Sequence, residues 1–501
     1  SHAAPALWRG RLAAEMHPAA RRFRSSFAED LALVDTDIDV GEAHVLELAR
    51  GRLFSRRELA RVLRAYEAAR RDARRILSRP SAATAFHDVH PVVERLVIAR
   101  CGEDVGGRVH LGKSRNDQVA TDICVFARRG ARATAAGAAG LQRALLGFAL
   151  TNATEVVPAY THGRAAQPTY AGHWALAWFD AASRDAARLL AAATRLNRCP
   201  LGAAAVAGTS VPLDRARTAA LLGFDGVWDN ALDATGARDH VLELLAALAI
   251  FQHTLSRLAA DVIALSSEDA GVLSYPDAFA DTSSAMPQKK NPDPLELVRA
   301  RAGTVAGDLS GALAIVHGLG GGYSRDLQEL KVLLWRSLAT VRESAEVTAL
   351  VVAGLGVRPG RGAAIVRRGF ATAMDLADRL SLERGVPFRR AHFAVGRLVR
   401  TLAAEDRTFA DASAAEASRL LSDAAGRPVL LDERTWRDWT DAAARTAARR
   451  TAGGPGDLPN QFARARRHLD EQHARLRALA VREERARKLL RAAVARSIKP
   501  T

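Results

Sequence analysis

Apolar residues recur at helical spacing along most of the chain. Within residues 55–77, for example, Leu59, Val62, Leu63 and Tyr66 stand three or four positions apart, the interval that places side chains on one face of an α-helix. The alternation of apolar and polar positions that marks strands is nearly absent. The pattern therefore predicts an all-α protein.

Three segments differ in the length of their predicted helices. Short polar turns and helices fill residues 1–110, long helices with Ala, Leu and Val stripes fill 111–360, and shorter amphipathic helices follow in 361–501. Loops rich in Gly and Pro interrupt the long helices. We predict an N-terminal mostly helical domain, a central long-helix bundle that carries the functional loops, and a small helical C-terminal domain with a basic tail, divided at these limits.

The composition suits a folded chain and argues against several classes of protein. Hydrophobic residues make up 48% of the 501 residues, charged residues 25% and aromatic residues 5%, so the chain does not resemble a disordered one. Its three cysteines form no CxxC pair, which argues against a disulfide framework and against zinc. The most apolar run, 241–267, contains charged residues and is interpreted as a buried helix. No signal-peptide pattern begins the chain, so we expect a cytoplasmic protein with no membrane partner.

A net charge of +17 raises the question of nucleic-acid binding. Nearly half of it lies in residues 464–499, which hold twelve Lys or Arg against four Asp or Glu. Leu476, Leu479, Leu489 and Leu490 recur there at helical spacing, which indicates a helix with one packed face and one solvated basic face. Aromatic stacking platforms are missing. We expect no nucleic-acid partner, with polyanion binding as the alternative.

A polar loop at residues 282–293, with the sequence TSSAMPQKKNPD, is the first candidate site. Its two prolines stiffen the backbone, so Ser283, Lys289 and Asn291 are predicted on a rigid loop that suits an anion. The next residues predict a helix with Asp293 as N-cap and Glu296 at N3. The helix N-terminus would add to the attraction for anions. Glu296 then has two interpretations, an ordinary capping box or a catalytic role.

Two further polar clusters stand far away in the sequence. Residues 110–118, HLGKSRNDQ, offer Arg115 as a clamp for a carboxylate and Ser114 and Asn116 as neutral hydrogen-bonding groups, although Asn116 or Asp117 as a plain helix cap explains them equally well. Residues 161–168, THGRAAQP, contain a histidine that is suited to proton transfer near neutrality or to a structural hydrogen bond.

No Walker motif, dinucleotide fingerprint, HExxH or nucleophile elbow appears in the sequence. Acid–base chemistry with no cofactor and no metal is therefore the natural hypothesis.

Together, the clusters resemble the signature regions of the aspartase/fumarase superfamily, and most closely those of the argininosuccinate lyase family. The matching stretches are SSAMPQKKNPDPLE at 283–296, SRNDQVATD at 114–122, NALDA at 230–234, MDLAD at 374–378 and GVPFR at 385–389. They stand in family order over residues 20–400.

The resemblance implies a function and residue roles. It implies a carbon–nitrogen lyase of arginine biosynthesis that splits argininosuccinate into arginine and fumarate. Catalysis would fall to Ser283, His162, Glu296 and Lys289. Substrate-binding positions are Ser26, Ser114, Arg115, Asn116, Thr161, Asn291, Tyr323, Gln328 and Lys331. It also implies a three-domain helical subunit and a homotetramer in which three subunits share each active site.

Several residues depart from the family pattern. Thr282 replaces a glycine, Arg164 and Ala165 replace a Gln-Arg pair, and Arg325 and Leu330 replace a lysine and an aspartate. These changes leave the predicted catalytic residues in place, but they lie near the pocket expected to bind the amine part of the substrate. A related lyase that releases fumarate from a different N-substituted aspartate is therefore the alternative function, and a non-enzymatic polyanion-binding protein is a further one.

Overall fold

The computed structural model describes residues 11, 14–77 and 88–499 of the chain. Within these residues, helices dominate and the strands are short, which confirms the all-α prediction. The first ten residues, on which the expectation about a signal peptide rests, lie outside the described part.

The N-terminal helices surround a core of their own. They are α1 (Pro18–Phe23), α2 (Phe27–Asp30), α3 (Val34–Arg50), α4 (Arg56–Leu77), α5 (His90–Cys101) and α6 (Glu103–Gly106), with 3₁₀ turns at Leu31–Leu33 and Gly107–His110. The helix predicted in residues 55–77 is confirmed, and Val62, Leu63 and Tyr66 are buried as expected. Ser55 and Glu58 cap it reciprocally through each other's backbone N–H, at 2.8 and 3.3 Å.

Long helices build the centre of the molecule around one large apolar core. The helices of this segment are α7 (Arg115–Thr151), α8 (Ala171–Arg195), α9 (Arg215–Leu221), α10 (Ala231–Gly236), α11 (Asp239–Ser266), α12 (Asp293–Val316) and α13 (Leu330–Gly354). The longest of them, α7, packs along both α8 and α13. Helices of this length hold the loops at their two ends far apart.

Short strand pairs close several of the loops that join these helices. The strands are β1 (Val156–Thr161), β2 (Arg164–Tyr170), β3 (Arg198–Cys199), β4 (Gly226–Val227), β5 (Leu273–Ser274), β6 (Asp281–Thr282), β7 (Lys290–Asn291) and β8 (Gly356–Val357). They pair as β1 with β2, β3 with β4, β5 with β8 and β6 with β7. Most have two residues, too few for a recognisable alternation, which is why the sequence pattern missed them.

A third core surrounds Trp436 and Trp439. The C-terminal helices are α14 (Arg361–Arg368), α15 (Ala373–Arg384), α16 (Phe388–Ala404), α17 (Ala414–Ala425), α18 (Glu433–Thr440), α19 (Ala442–Ala448) and α20 (Leu458–Ile498), with 3₁₀ turns at Phe409–Asp411 and Pro455–Asp457. Most residues of the third core come from α15 to α18. Helix α20 belongs to the other two cores, since Leu469 packs in the central core and Leu490 in the N-terminal one.

The basic tail is the single long helix that the sequence predicted, with two differences. Leu489, expected on the packed face, is 46% exposed. Several arginines also form ion pairs with other helices rather than standing in solvent: Arg464 lies 3.3 Å from Asp180, and Arg491 pairs with Asp39. Part of the positive charge therefore holds α20 against the rest of the fold.

Helix α11 is the one described helix that is long and apolar enough to cross a membrane. Of its most apolar 18 residues, 56% are buried inside the protein. The core helix of a soluble protein can be equally long and apolar. This burial agrees with the interpretation of residues 241–267 as a core helix.

Replacing Trp436 by Ala should destabilise the third core by about 3–5 kcal/mol, because the indole is 2% exposed and its removal leaves a large cavity. The loss of the hydrogen bond from its Nε1 to Ala412 O, 2.8 Å long, adds to the effect. Calorimetry should show an early unfolding transition in Trp436→Ala. The control, Leu430→Ala, removes a side chain that is 77% exposed and should melt like the parent. Equal melting of all three proteins would contradict this account of the core.

Candidate active site

The start of α7 is tied to the loop that follows β3. The hydroxyl of Ser114 accepts from Asn116 N at 3.3 Å, and Ser114 N donates to Asp117 Oδ1 at 2.9 Å, which completes a capping box. The cap is therefore Ser114, and the expectation of Asn116 or Asp117 as cap was wrong. Asp117 Oδ2 accepts from Gly202 N and Ala204 N, both at 2.8 Å. Burial raises the pKa of Asp117 to about 6.

The two side chains after this cap are already engaged. The amide of Asn116 donates to Ala205 O at 2.9 Å, in the same loop. Arg115 forms an ion pair with the buried carboxylate of Asp88, just before α5. The predicted carboxylate clamp thus has a carboxylate partner within the protein.

A second ion pair lies beside the first. Lys331 at the start of α13 pairs with Asp30 at the end of α2, and both side chains are buried. Ser26 Oγ donates to Asp30 Oδ2 at 2.8 Å, while Gln328 Nε2 donates to Arg24 O at 3.5 Å. A carboxylate oxygen of Asp30, one of Asp88 and a ring nitrogen of His90 lie within 4.8 Å of one another. The two ion pairs therefore lie side by side next to His90.

Tyr323 completes this group from the loop between α12 and α13. Burial raises the pKa of its hydroxyl, against the opposing effect of Arg325, Arg238 and Arg115 nearby. One chain therefore gathers a binding cluster, by which we mean the following predicted residues: Ser26, Ser114, Arg115, Asn116, Tyr323, Gln328 and Lys331.

Gly322, the last of the three glycines before Tyr323, lies against Gly236 at the end of α10. Gly322 has a φ of 83°, a conformation that favours glycine, and a Cβ at Gly236 would lie 2.5 Å from Gly322 O. Helix α10 thus rests directly on the backbone of this loop, at a distance that the absence of a side chain at Gly236 allows. The contact fixes the position from which Tyr323 reaches the binding cluster.

Sequence reasoning missed a buried polar network behind the binding cluster. His90 Nδ1 lies 3.0 Å from Asp37 Oδ1 and 3.7 Å from Asp122 Oδ2, and Gln118 also donates to Asp37. Both oxygens of Asp122 and His90 Nε2 are buried without a hydrogen-bond partner among the described residues. The signal was present, since Asp37 and Asp122 stand on helix faces that are otherwise buried.

Burial and charge act differently on the two aspartates of this network. Burial and the charge of Asp37 raise the pKa of Asp122 well above its usual range. Burial also acts to raise the pKa of Asp37, but attraction to His90 and the hydrogen bond between them bring it below the usual value. The pKa values of the two aspartates thus move in opposite directions within one network.

His162 lies at the tip of the β1–β2 hairpin. Thr161 pairs with Arg164 across the turn, and His162 and Gly163 have φ values of 53° and 69°. Positive φ at both central residues is the mark of a tight two-residue hairpin turn. The imidazole is exposed at the tip of this turn.

Ser283 lies in the loop between β6 and β7. Its Oγ accepts from Ala285 N at 3.3 Å and from Met286 N at 3.1 Å. Lys290 anchors the loop through an ion pair with Asp277, whereas Lys289 is exposed. Strand pairing between Asp281 and Asn291 closes the loop at its base. The predicted rigid loop is thus a small hairpin whose tip carries the serine and the lysine.

Two expectations about this loop need correction. The N-cap of α12 is Pro292 and has no side-chain hydrogen bond, so the predicted box between Asp293 and Glu296 does not form. Glu296 is exposed and reaches only Arg299, at 3.9 Å. A capping role for Glu296 is thereby excluded. Thr282 lies in extended β6, where the freedom of a glycine is not required.

The predicted catalytic residues lie far from the binding cluster within one chain. Arg115 begins α7, which has 37 residues and is ~55 Å long, and His162 follows its other end. Ser283 precedes α12, which has 24 residues and spans ~36 Å, and Tyr323 follows it. In the described part of one chain, no hydrogen bond or ion pair joins His162 to Ser283 or Glu296.

The acidic groups around His90 are close enough together to hold a metal ion. Two of them, however, already pair with cationic side chains. Asp30 and Asp88 are paired with the side-chain cations of Lys331 and Arg115. The cavity at Asp37 and His90 measures about 10 Å³, the room of one water molecule. We therefore assign no metal to this cluster.

The chain is similar to known lyases over most of its length. Residues 56–307 match the lyase family, and residues 370–437 match the argininosuccinate lyase C-terminal family. Argininosuccinate lyase of Synechococcus elongatus is 41% identical over 83% of this chain and 88% of its own length. Argininosuccinate lyase of Thermus thermophilus is 42% identical, over 81% and 87%.

Solved structures share the fold. A structure of EDDS lyase in complex with formate aligns with a TM-score of 0.87 at 26% identity, covering 97% of this chain and 96% of that one. Class II fumarase of Schistosoma mansoni aligns with a TM-score of 0.69 at 14% identity, covering 85% and 94%. The resemblance drawn from the sequence is confirmed: the chain belongs to the argininosuccinate lyase family of carbon–nitrogen lyases.

Proposed function

We propose that this protein cleaves argininosuccinate into arginine and fumarate by β-elimination, without a metal or an organic cofactor. The observation that carries the proposal is the binding cluster, in a chain about two-fifths identical to argininosuccinate lyases. Arg115 and Lys331 supply two cations where a substrate with several carboxylates needs them. Ser26, Tyr323 and Gln328 add neutral hydrogen-bonding groups, so the cluster suits a polar substrate that carries both charges.

The active site is proposed to be shared between subunits of a homotetramer. Because α7 and α12 separate the catalytic residues of one chain from its binding cluster, a small substrate contacts both groups only if different chains supply them. The long helices also expose apolar side chains: Leu297 is 57% exposed, Leu313 52% and Leu350 50%. Such helix faces suit association with further copies of the chain. His162 and Thr161 would come from one subunit, Ser283 from a second and the binding cluster from a third.

Ser283 is proposed as the base. It would take a proton from the succinyl carbon next to a carboxylate, and the electron pair of that C–H bond would move toward the carboxylate as an aci-carboxylate intermediate. The amides of Ala285 and Met286 already donate to Ser283 Oγ and would stabilise its alkoxide. Lys289, Asn291 and the N-terminus of α12 would stabilise the added charge on the substrate.

His162 is proposed as the acid that completes the elimination. The electron pair of the intermediate forms the C=C bond of fumarate as the C–N bond breaks, and the leaving nitrogen takes its proton from the imidazole. Glu296 of a neighbouring subunit would hold the imidazolium, since its carboxylate is exposed and outside any capping box.

A second candidate is the release of fumarate from a different N-substituted aspartate. The close structural likeness to EDDS lyase favours it, together with the contact between Arg325 Nη1 and Gln328 Oε1, 3.0 Å long, at a position that departs from the family pattern. Such a contact changes how Gln328 meets the amine side of the substrate. The elimination chemistry would be the same, and only the leaving group would differ.

The protein is proposed to act in the cytoplasm. All three cysteines are free and buried, which suits a reducing compartment. Arginines of α20 that pair with Asp39 and Asp180 reduce the charge left for a nucleic acid, so no such partner is proposed.

Purified protein should release fumarate from argininosuccinate, followed by the ultraviolet absorbance of fumarate. Release from another N-succinyl amino compound, with none from argininosuccinate, would select the second candidate. No release from any such compound, together with salt-sensitive DNA binding, would contradict both and support the polyanion-binding alternative.

Ser283→Ala should lower kcat by about 10²–10⁴-fold and abolish exchange of the succinyl proton with solvent, because it removes the base. Exchange is measured by NMR in D₂O. Ser284→Ala, which removes the neighbouring exposed hydroxyl, is the matched control and should keep most of the activity. Retained exchange in Ser283→Ala would assign the base to another residue.

Mixtures of inactive His162→Asn and Ser283→Ala proteins should regain part of the activity after subunits exchange, since some sites then receive an intact residue of each kind. Subunit exchange is induced by mild denaturant and checked by mass spectrometry of the mixed tetramers. Mixed tetramers without any activity would contradict the shared site.

A further inference from the structure

The β1–β2 hairpin, which carries His162 at its tip, rests on the C-terminal helices. A Cβ at Gly362 of α14 would lie 2.3 Å from Val156 O, and one at Gly369, directly after α14, would lie 3.1 Å from Ala165 Cβ. Helix α14 therefore lies against the backbone of β1, at a distance that the missing side chain at Gly362 allows. The base of the hairpin is thus supported by a part of the chain that is distant in sequence.

The strand pairing of this hairpin is irregular between its base and its tip. Pro158 lies opposite Pro168, and neither residue has an N–H to donate to the other strand. The register then shifts between Ala159 and Tyr160, as at a β-bulge. Because the ladder is weakened at two successive points, contacts outside the hairpin are needed to fix the direction of its tip.

Arg449, directly after α19, supplies such a contact. Its Nη1 donates to Pro168 O at 2.6 Å, and its Nη2 lies 2.5 Å from Asp375 Oδ2 in α15. The side chains of Arg449 and Asp375 are only 18% and 14% exposed, so water weakens their attraction little. Beside this pair, Gln167 Nε2 donates to Met374 Sδ at 3.8 Å. Two neighbouring residues of β2 are therefore held from the C-terminal helices.

The same residues explain a sequence motif that the active site leaves unexplained. Met374 and Asp375 begin the stretch MDLAD at 374–378, which matches the family pattern. Neither belongs to the binding cluster or to the loop that carries Ser283. Their contacts instead reach β2, directly from Met374 and through Arg449 from Asp375.

Two cavities border the hairpin. One, of about 750 Å³, reaches Val156, and the other, of about 620 Å³, is lined in part by Tyr160, Gly163 and Gln167. Empty space beside a strand leaves room for it to shift, whereas close packing would oppose the movement. The position of the hairpin therefore depends strongly on its polar contacts.

We propose that Arg449, held by Asp375, is a positioning residue that fixes the direction of the hairpin and thereby the place of His162 in the active site. The inference rests on the proposed function, because it requires that His162 protonates the leaving nitrogen. Arg449 does not contact the substrate in this proposal. It acts on the reaction through the carbonyl of Pro168 and the strand that leads to His162.

The first test is kinetic. Arg449→Ala should lower kcat on the order of tenfold to a hundredfold, because a displacement of about 1 Å in a catalytic group has an effect of this size. KM should change less, since the binding cluster lies at the other end of the bundle. The control is Arg407→Ala, which removes an arginine whose ion pairs with Glu405 and Glu416 stay within the C-terminal segment, and it should keep kcat.

Subunit mixing then tests whether Arg449 acts through His162. Exchange of Arg449→Ala with Ser283→Ala subunits should raise activity above that of Arg449→Ala alone, because some sites combine an intact hairpin from one chain with an intact Ser283 from another. Exchange with His162→Asn subunits should give no such gain, since every hairpin then carries one of the two defects. A general loss of stability would not distinguish the two mixtures.

Asp375→Asn provides a second variant that keeps the size of the side chain. It leaves the hydrogen bond to Pro168 possible but removes the charge that holds Arg449, so kcat should fall less than in Arg449→Ala and mixing should give the same pattern. Thermal melting and mass spectrometry show which variants are folded and tetrameric. If Arg449→Ala does not fold, Asp375→Asn decides the outcome.

The outcomes separate this inference from the proposed function. Unchanged kcat in folded Arg449→Ala and Asp375→Asn overturns the inference and leaves the function intact. An equal gain with both mixing partners, or a gain with neither while His162→Asn and Ser283→Ala complement each other, also overturns the inference alone. An active enzyme in which His162→Asn and Ser283→Ala fail to complement overturns the shared site and the inference. No fumarate release by the unaltered enzyme overturns the function and the inference with it.

Discussion

The length of the central helices is the constraint on which the rest of this structure depends. A helix of 37 residues keeps Arg115 and His162 at opposite ends of the bundle, and another of 24 residues does the same for Ser283 and Tyr323. Each end therefore carries only some of the predicted site residues. Rigid elements position them, since helix ends and tight hairpins hold side chains more firmly than long loops.

Charge balance organises the binding end. The two cations of the binding cluster each have a buried aspartate partner, and Lys331 is itself buried while Arg115 is half-buried. A buried cation without such a partner would be unstable. Asp30 and Asp88 thus perform two tasks, stabilising the fold and keeping Lys331 and Arg115 in position. His90, Asp37 and Asp122 extend this arrangement inward, where burial and the charge of Asp37 raise the pKa of Asp122.

The catalytic end uses backbone geometry in place of buried charge. The hairpin turn at His162 and the amide donors to Ser283 Oγ hold in place an exposed imidazole and a half-buried hydroxyl. In the proposed tetramer, neighbouring subunits and the substrate would complete the surroundings of both groups. At one end of the bundle, charged side chains are therefore stabilised by partners of opposite charge. At the other end, the backbone holds the side chains in place.

The sequence by itself determined the helical class, the helix in residues 55–77, the basic C-terminal helix and the family, because helical periodicity and short polar motifs are local properties of a chain. It also singled out Arg115, His162 and Ser283. Its errors were local as well: Ser114 rather than Asn116 or Asp117 caps α7, and Pro292 rather than Asp293 is the N-cap of α12. Only the tertiary structure revealed that the ion pairs of Arg115 and Lys331 lie beside His90, or that Gly236 lets α10 approach the loop before Tyr323. Those contacts join residues that are tens to hundreds of positions apart, and their energies depend on burial, which no local pattern records.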